Sequence, residues 1–547
     1  MTDNAKSGCD RVGAQGGFAS GVAILTVSTV IVKLIGVLYK IPMIKYLGED
    51  GMGYFNSAYE IYTFFYILAT AGLPVAISIL VAQNASAGNR ENVKRIFGVS
   101  AALLSILGLV GAAVLYFGAP LLGRLIGNSG ATASIAAISP MIFFICISSS
   151  VRGFFQGMQN MMPTAVSQVI EALGKLFPGL LLGVWAVNSG RSGEAAAAFA
   201  TLGITLGVGI SMIYLLLSKL FGKEGSASAA KIPTVCSGIS ILRSLVSIAL
   251  PITLSSAVIS MTRTVDLFMI LRRLQSIGYT EAAANSIYGS YSTLAVSMFN
   301  LPASFVTPIA LALVPALAAS VNCGDRLKEQ RTLNSAFRLC GVIIIPAALG
   351  MSVFSRPILE LVFAGETVAI NIAAPLLSVL AVSVFFSCLM TVSNAVLQAY
   401  GKERKPVISM MIGAAIKILL SYVLIGDPRL NVYGAPISTL VCDITVTSIN
   451  IAFIKKTTNG MSSAWELFGR SLVAAGVSVG VCAMGYYSLV GRTLERSPGV
   501  TLVAIGLTAV IYLLLSLKIK AIDGEDIMLL PWGDKIYGIM KKIRLVK

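Results

Sequence analysis

The sequence predicts an all-α polytopic membrane protein of about fourteen transmembrane helices, and three observations carry that prediction. Fourteen apolar runs are each long enough to span a bilayer, only 12% of the 547 residues are charged, and the basic residues gather in alternate loops. A spanning helix takes about 20 apolar residues. The runs lie at 18–39, 54–82, 95–118, 131–155, 163–187, 195–218, 241–271, 285–317, 335–355, 371–399, 406–426, 431–454, 467–490 and 499–517. Open backbone cannot face lipid, so each run is expected to be helical, the longer ones tilted or kinked.

Composition agrees. The chain is 56% hydrophobic, with a mean hydropathy of +0.84. Soluble domains carry about 25% charged residues, so a chain with half that number could not cover a water-facing surface. The net charge of +17 would suggest nucleic acid in a soluble protein. Here the basic residues sit in short loops between apolar runs, which reads as anchoring to an anionic leaflet, with no nucleic-acid partner. The first run is too long for a signal-peptide core and is expected to be retained.

An even number of runs puts both termini on one side. Loops on the N-terminal side hold 26 Lys and Arg, the opposite loops hold 10, and five lie within or at the edges of runs. That bias predicts cytoplasmic tails in the cell membrane. No loop is long enough for a folded domain. The widest internal one, 219–240, is rich in Gly, Ser and Ala and reads as a linker.

The linker falls near the middle of the chain, and a repeat surrounds it. Gln156-Gly157 matches Gln398-Ala399, and Lys175 matches Lys417 at the same offset. Gly88-Asn89-Arg90 matches Gly324-Asp325-Arg326, and Lys33 matches Arg263. The expected organisation is an N-terminal lobe over 1–225, a C-terminal lobe over 226–460, and two further helices with a basic tail over 461–547. Six helices per lobe make the lobes parallel repeats with a cavity between them.

Ionisable residues inside spans cost about 2.5–3.5 kcal/mol each on insertion scales, so they face a wet cavity or a partner. The set is Lys33, Glu60, Glu171, Lys175, Arg263, Asp266, Lys417 and Asp443. Mutual neutralisation is the plainer reading for Glu171 with Lys175, at i,i+4, and for Arg263 with Asp266, at i,i+3. Lys33 and Lys417 have no such local partner, which favours a cavity. The repeat pairs Lys33 with Arg263 and Lys175 with Lys417, a suitable seat for a phosphate or pyrophosphate. The four acids make that cavity mixed in charge.

There is no histidine, which excludes a histidine metal site, a Ser-His-Asp triad and a histidine proton relay. The eight cysteines (Cys9, Cys146, Cys236, Cys323, Cys340, Cys388, Cys442, Cys482) show no C-x-x-C and read as small hydrophobes. No cofactor or metal is expected. Glu49-Asp50 is the one acidic pair adjacent in sequence in the outer loops, too little for a catalytic carboxylate loop, so no enzyme is expected. Prolines at 74, 140, 178, 251, 302, 308, 346 and 375, and the stretch Gly203-x3-Gly207-x-Gly209, fit helices that bend or slide, though both residues are common in membrane helices. The tail run Lys541-Lys542-Ile543-Arg544, after Trp532 and Tyr537, reads as an interfacial anchor.

Four segments carry a family resemblance: Lys33-Leu-Ile-Gly36-Val-Leu-Tyr39-Lys40-Ile-Pro42, Leu47-Gly48-Glu49-Asp50-Gly51-Met-Gly53, Ala71-Gly72-Leu73-Pro74-Val-Ala-Ile-Ser78, and Arg152-Gly-Phe-Phe-Gln156-Gly157-Met-Gln159-Asn160-Met-Met-Pro163-Thr-Ala-Val-Ser167-Gln168. Together they resemble the polysaccharide-biosynthesis branch of the MOP exporter superfamily, the branch of the stage V sporulation protein B and lipid II flippase groups. The resemblance implies a monomer that flips undecaprenyl-pyrophosphate-linked saccharides by alternating access. It also implies two cavity-facing arginines six apart in the first helix. Here Lys33 takes the first position, and Tyr39 takes the second with Lys40 beside it. The candidate substrate contacts are therefore Lys33, Lys40, Lys175, Arg263 and Lys417, with Glu60, Glu171, Asp266 and Asp443 as coupling or pairing acids. The alternative within the superfamily is a cation-coupled multidrug exporter, whose coupling ion would sit at an acid such as Glu60 or Asp443.

Overall fold

The computed structural model describes residues 16–221, 237–322, 325–458, 460–490, 498–519 and 521, almost all of them helical. The apolar runs fall on helix along most of their lengths. Among the described residues, 11 helices are long and apolar enough to cross a membrane, and the first of these, Val27–Ala85, covers the end of the first run and all of the second.

The first helix, α1 (Gly16–Thr70), is two arms joined at Gly48, whose φ of 67° and ψ of −179° suit only glycine. The run expected over 54–82 is not continuous. It breaks at Ala71-Gly72, and α2 (Leu73–Ser86) starts with a proline in its first turn. Pro74 lacks the N–H that would continue the α1 ladder. Then follow α3 (Arg90–Ile126), α4 (Thr132–Gly157), α5 (Met162–Asn188), α6 (Gly193–Phe221) and α7 (Gly238–Ser276). Within α5, residues Lys175–Gly179 form a π turn around Pro178, one of the expected kinks. The short α8 (Glu281–Ser290) runs through a second π turn, Tyr291–Ala295, into α9 (Val296–Asn322).

The chain packs as two compact units, residues 1–289 and 290–547. In the first, α6 packs on both α4 and α5, and α7 packs on α1, α2 and α3. The α5–α6 approach is set by glycine: a Cβ on Gly207 would overlap the Gly174 backbone, and one on Gly203 the Pro178 carbonyl. The Gly203-x3-Gly207 stretch is thus a seam between helices.

The second unit holds α9 with α10 (Arg326–Val353), a short α11 (Ser355–Val362) with no counterpart in the apolar runs, α12 (Thr367–Ala399), α13 (Arg404–Ile425) and α14 (Gly434–Lys455). Here α14 packs on both α12 and α13, the order seen for α6 on α4 and α5. Phe337, Cys340, Val384, Val392 and Ile454 form its main core. The last two helices, α15 (Arg470–Leu489) and α16 (Pro498–Lys518), are held to α10, where the Tyr512 hydroxyl donates to the Val342 carbonyl at 2.7 Å.

The surface is the inverse of a soluble protein's. Along α3, Ser100, Leu104, Gly108 and Ala119 are buried, while Leu109, Phe117 and Leu121 are exposed. Small residues face neighbouring helices and large apolar ones face outward, as lipid requires. The basic tail after 521 lies outside the described residues.

Candidate functional site

The hairpin of α4 and α5 sets the geometry. Its turn, 158–161, sends α5 back along α4, so residues equidistant from the turn meet. Arg152 meets Ser167 in this way, its Nε donating to the serine hydroxyl at 3.0 Å. One turn further along α5, Arg152 Nη2 lies 3.1 Å from Glu171 Oε2. Lys175, another turn on, lies 3.6 Å from Glu171 Oε1. Lys175 also donates to the Tyr59 hydroxyl of α1 at 3.0 Å.

The expected Glu171–Lys175 pair is therefore present, but as part of a three-charge cluster. One carboxylate between two cations leaves a surplus of one positive charge near the middle of α5. Arg152 and Glu171 side chains are 8% and 12% exposed, and Lys175 is the outermost at 20%. An aromatic row on α1 flanks the cluster. Phe55 stacks on Tyr59, and Tyr59, Tyr62 and Tyr66 follow at centroid spacings of 5.8 Å. Successive positions 3–4 residues apart share one helix face, which explains the row. A cation with phenol hydroxyls and ring faces around it can hold a phosphate oxygen and stack a sugar ring.

Sequence reasoning missed Arg152 and Tyr59 as members of this site. In the sequence Arg152 stands out only as the start of a resemblance segment and as one of the five basic residues within or at the edges of runs. The signal was the hairpin register, which pairs 152 with 167 once the turn is placed at 158–161.

Lys40 and Glu60 on α1 and Asp266 on α7 are half-buried. The side chains of Lys33 and Arg263 lie outside the described residues. Lys417 on α13 and Asp443 on α14 belong to the second unit and are nearly fully buried. Asp443 Oδ2 accepts from the Ser383 hydroxyl at 2.6 Å. Among the described residues no group of His, Cys, Asp and Glu could hold a metal ion. Cys146, Cys340, Cys388, Cys442 and Cys482 are buried and not joined in disulfides.

A further polar cluster joins α1, the α3–α4 turn and α8 within the first unit. Asn128 Nδ2 donates to Ser57 Oγ at 3.0 Å and to Asn285 Oδ1 at 2.8 Å. Asn285 in turn donates to the Asp50 carbonyl at 2.9 Å. Two apolar grooves lie among the described residues. One, of about 450 Å³, lies between the first arm of α1 and α5, lined by Val27, Ile31, Val169 and Ile170. The other, of about 400 Å³, lies in the second unit among α10, α12 and the start of α15, with Leu349, Phe385, Trp465 and Phe468 on its walls.

Comparison with known proteins gives a consistent picture. The family described as polysaccharide biosynthesis protein matches residues 18–321, and the MatE family matches residues 251–423. Stage V sporulation protein B of Bacillus subtilis (strain 168) is 26% identical over 442 residues, covering 80% of this chain and 84% of that one. Lipid II flippase MurJ of the same organism is 28% identical over 421 residues, covering 74% and 77%. A solved structure described as lipid II flippase MurJ in an inward closed conformation superposes with a TM-score of 0.68 at 15% identity, over 90% of this chain and 98% of that one.

Proposed function

This chain belongs to the polysaccharide biosynthesis protein family of the MOP superfamily, and from that premise we propose that it is a flippase for an undecaprenyl-pyrophosphate-linked saccharide. The observation that carries the reading is the net-positive Arg152–Glu171–Lys175 cluster beside the Tyr59 row, deep within a bundle whose outer face is apolar. The substrate's difficulty is its head. Pyrophosphate and sugar cannot cross hydrocarbon, whereas the prenyl tail is at home there. A buried surplus cation lowers the cost of bringing the pyrophosphate inward, and the phenol row offers sugar-ring contacts. The apolar groove between α1 and α5 leaves room for a stretch of tail.

The headgroup contacts we propose are Lys175, Lys33, Lys40 and Arg263, carried on α1, α5 and α7. The two lobes, fourteen spans, cytoplasmic termini and location in the cell membrane follow the loop-charge bias and the internal repeat. The work is translocation and involves no covalent step. Depletion in a host where this is the sole flippase of its kind tests the reading. Lipid-linked precursor should accumulate on the cytoplasmic leaflet, measured by protection from an impermeant reagent. Unchanged precursor distribution with reduced drug efflux would overturn it.

The match of the MatE family to 251–423 favours a second reading, cation-coupled export of organic cations. In that case an acid such as Glu60 or Asp443 would take the coupling ion, and transport would depend on that ion's gradient.

A further inference from the structure

Among the described residues of the second unit, the charged side chains that are nearly fully buried are Lys417, at 5% exposure, and Asp443, at 7%. They have opposite signs and lie on helices packed against each other. The register of those helices is fixed by three contacts. Ser409 donates to Asn450 at 2.6 Å, a Cβ on Gly413 would overlap Val446, and Ser421 meets Ser438 at 2.7 Å. The three contacts advance in step, four residues along α13 for each four back along α14. The position between the last two is Lys417, which is level with Cys442, next to Asp443.

The surroundings are closely packed. Gly413 brings the helices together one turn from Lys417, so the lysine stem has to run along the seam. Ser383, on α12, takes one oxygen of Asp443, and an ionised carboxylate has room for further donors at the other. A lone buried ammonium or a lone buried carboxylate is the costly state, whereas the two together are tolerated.

We propose that Lys417 is the resident counter-ion of Asp443. Its tethered ammonium then fills the place that a soluble monovalent cation would take at that carboxylate. Two consequences follow. Lys417 is a specificity-determining residue for Asp443 and not a headgroup contact, although the repeat pairs it with Lys175. The second unit also has no vacancy for a coupling ion at Asp443, which removes that acid from the cation-coupled alternative. The inference rests on the transporter reading only for this consequence. The pairing itself is tested without transport, so a failure of the flippase reading leaves the test unaffected.

The experiment is thermal unfolding of the full chain in detergent, with NaCl or choline chloride at matched ionic strength. The wild type should respond equally to the two salts. Lys417→Met keeps the stem and removes the charge; it should unfold at lower temperature and regain stability saturably with Na⁺ but not with choline. Lys417→Met combined with Asp443→Asn should lose the Na⁺ response and be more stable than either single variant. That comparison holds even if Lys417→Met is recovered only as unfolded protein. A saturable Na⁺ shift in the wild type that Asp443→Asn abolishes would overturn the proposal. So would a double variant no more stable than the singles.

Discussion

Removing the Glu171 carboxylate should be severe by itself and mild when Arg152 is neutralised with it. Glu171 lies 3.1 Å from Arg152 and 3.6 Å from Lys175. At an effective dielectric of about 20, each contact corresponds to roughly 5 kcal/mol of attraction before desolvation is counted. Mutational experience with buried pairs puts the net cost of losing one partner at about 3–5 kcal/mol. Net stability is typically about 5–15 kcal/mol, so Glu171→Gln should remove a large part of it. Arg152→Gln should also destabilise, and it takes the cluster from a net charge of one to zero. Arg152→Gln with Glu171→Gln restores the single positive charge on Lys175 and removes both buried orphans. It should therefore be more stable than either single variant, and it should complement where Arg152→Gln does not. Fluorescence-detected size exclusion after heating reads the stability, and complementation at matched membrane expression reads the activity. If the double variant is stable yet as inactive as Arg152→Gln, the guanidinium itself is required and the charge-surplus argument fails.

Lys33→Arg should retain most complementation and Lys33→Gln should lose it at normal expression, since a pyrophosphate contact needs charge more than shape; equal activity of the two would remove Lys33 from the site. Gly207→Ala should lower the unfolding temperature, because its Cβ meets the Gly174 backbone and only helix separation relieves it; overpacking of this kind costs about 1–3 kcal/mol. Gly476→Ala on α15, where a Cβ meets nothing within 4 Å, is the matched control and should not lower the unfolding temperature.

Sequence alone determined what depends on composition and local pattern. Lipid as solvent follows from having too few charges to cover a surface, and the helical runs follow because lipid leaves the backbone no other partner. The i,i+4 pairing of Glu171 with Lys175 was legible for the same reason, since one helix fixes that distance. The family resemblance was legible in the segment from Arg152 to Pro163. Tertiary structure decided whatever needs two helices to meet. The break at Ala71-Gly72 has a local cause in Pro74, but the packing there does not: a Cβ on Gly72 would overlap the Ala249 carbonyl of α7, a contact 177 positions away that no window along the chain contains. Arg152 joins Glu171 only through the α4–α5 hairpin, and Tyr59 reaches Lys175 across 116 positions. Arg152 changes the local pair from neutral to singly positive. Likewise, the sequence holds Lys417 and Asp443 as separate charges, and the register of α13 on α14 puts Lys417 level with Cys442, the neighbour of Asp443. Charge within a span is visible in sequence, but its balance depends on distances between helices. Those distances are set by which small residues let two backbones approach.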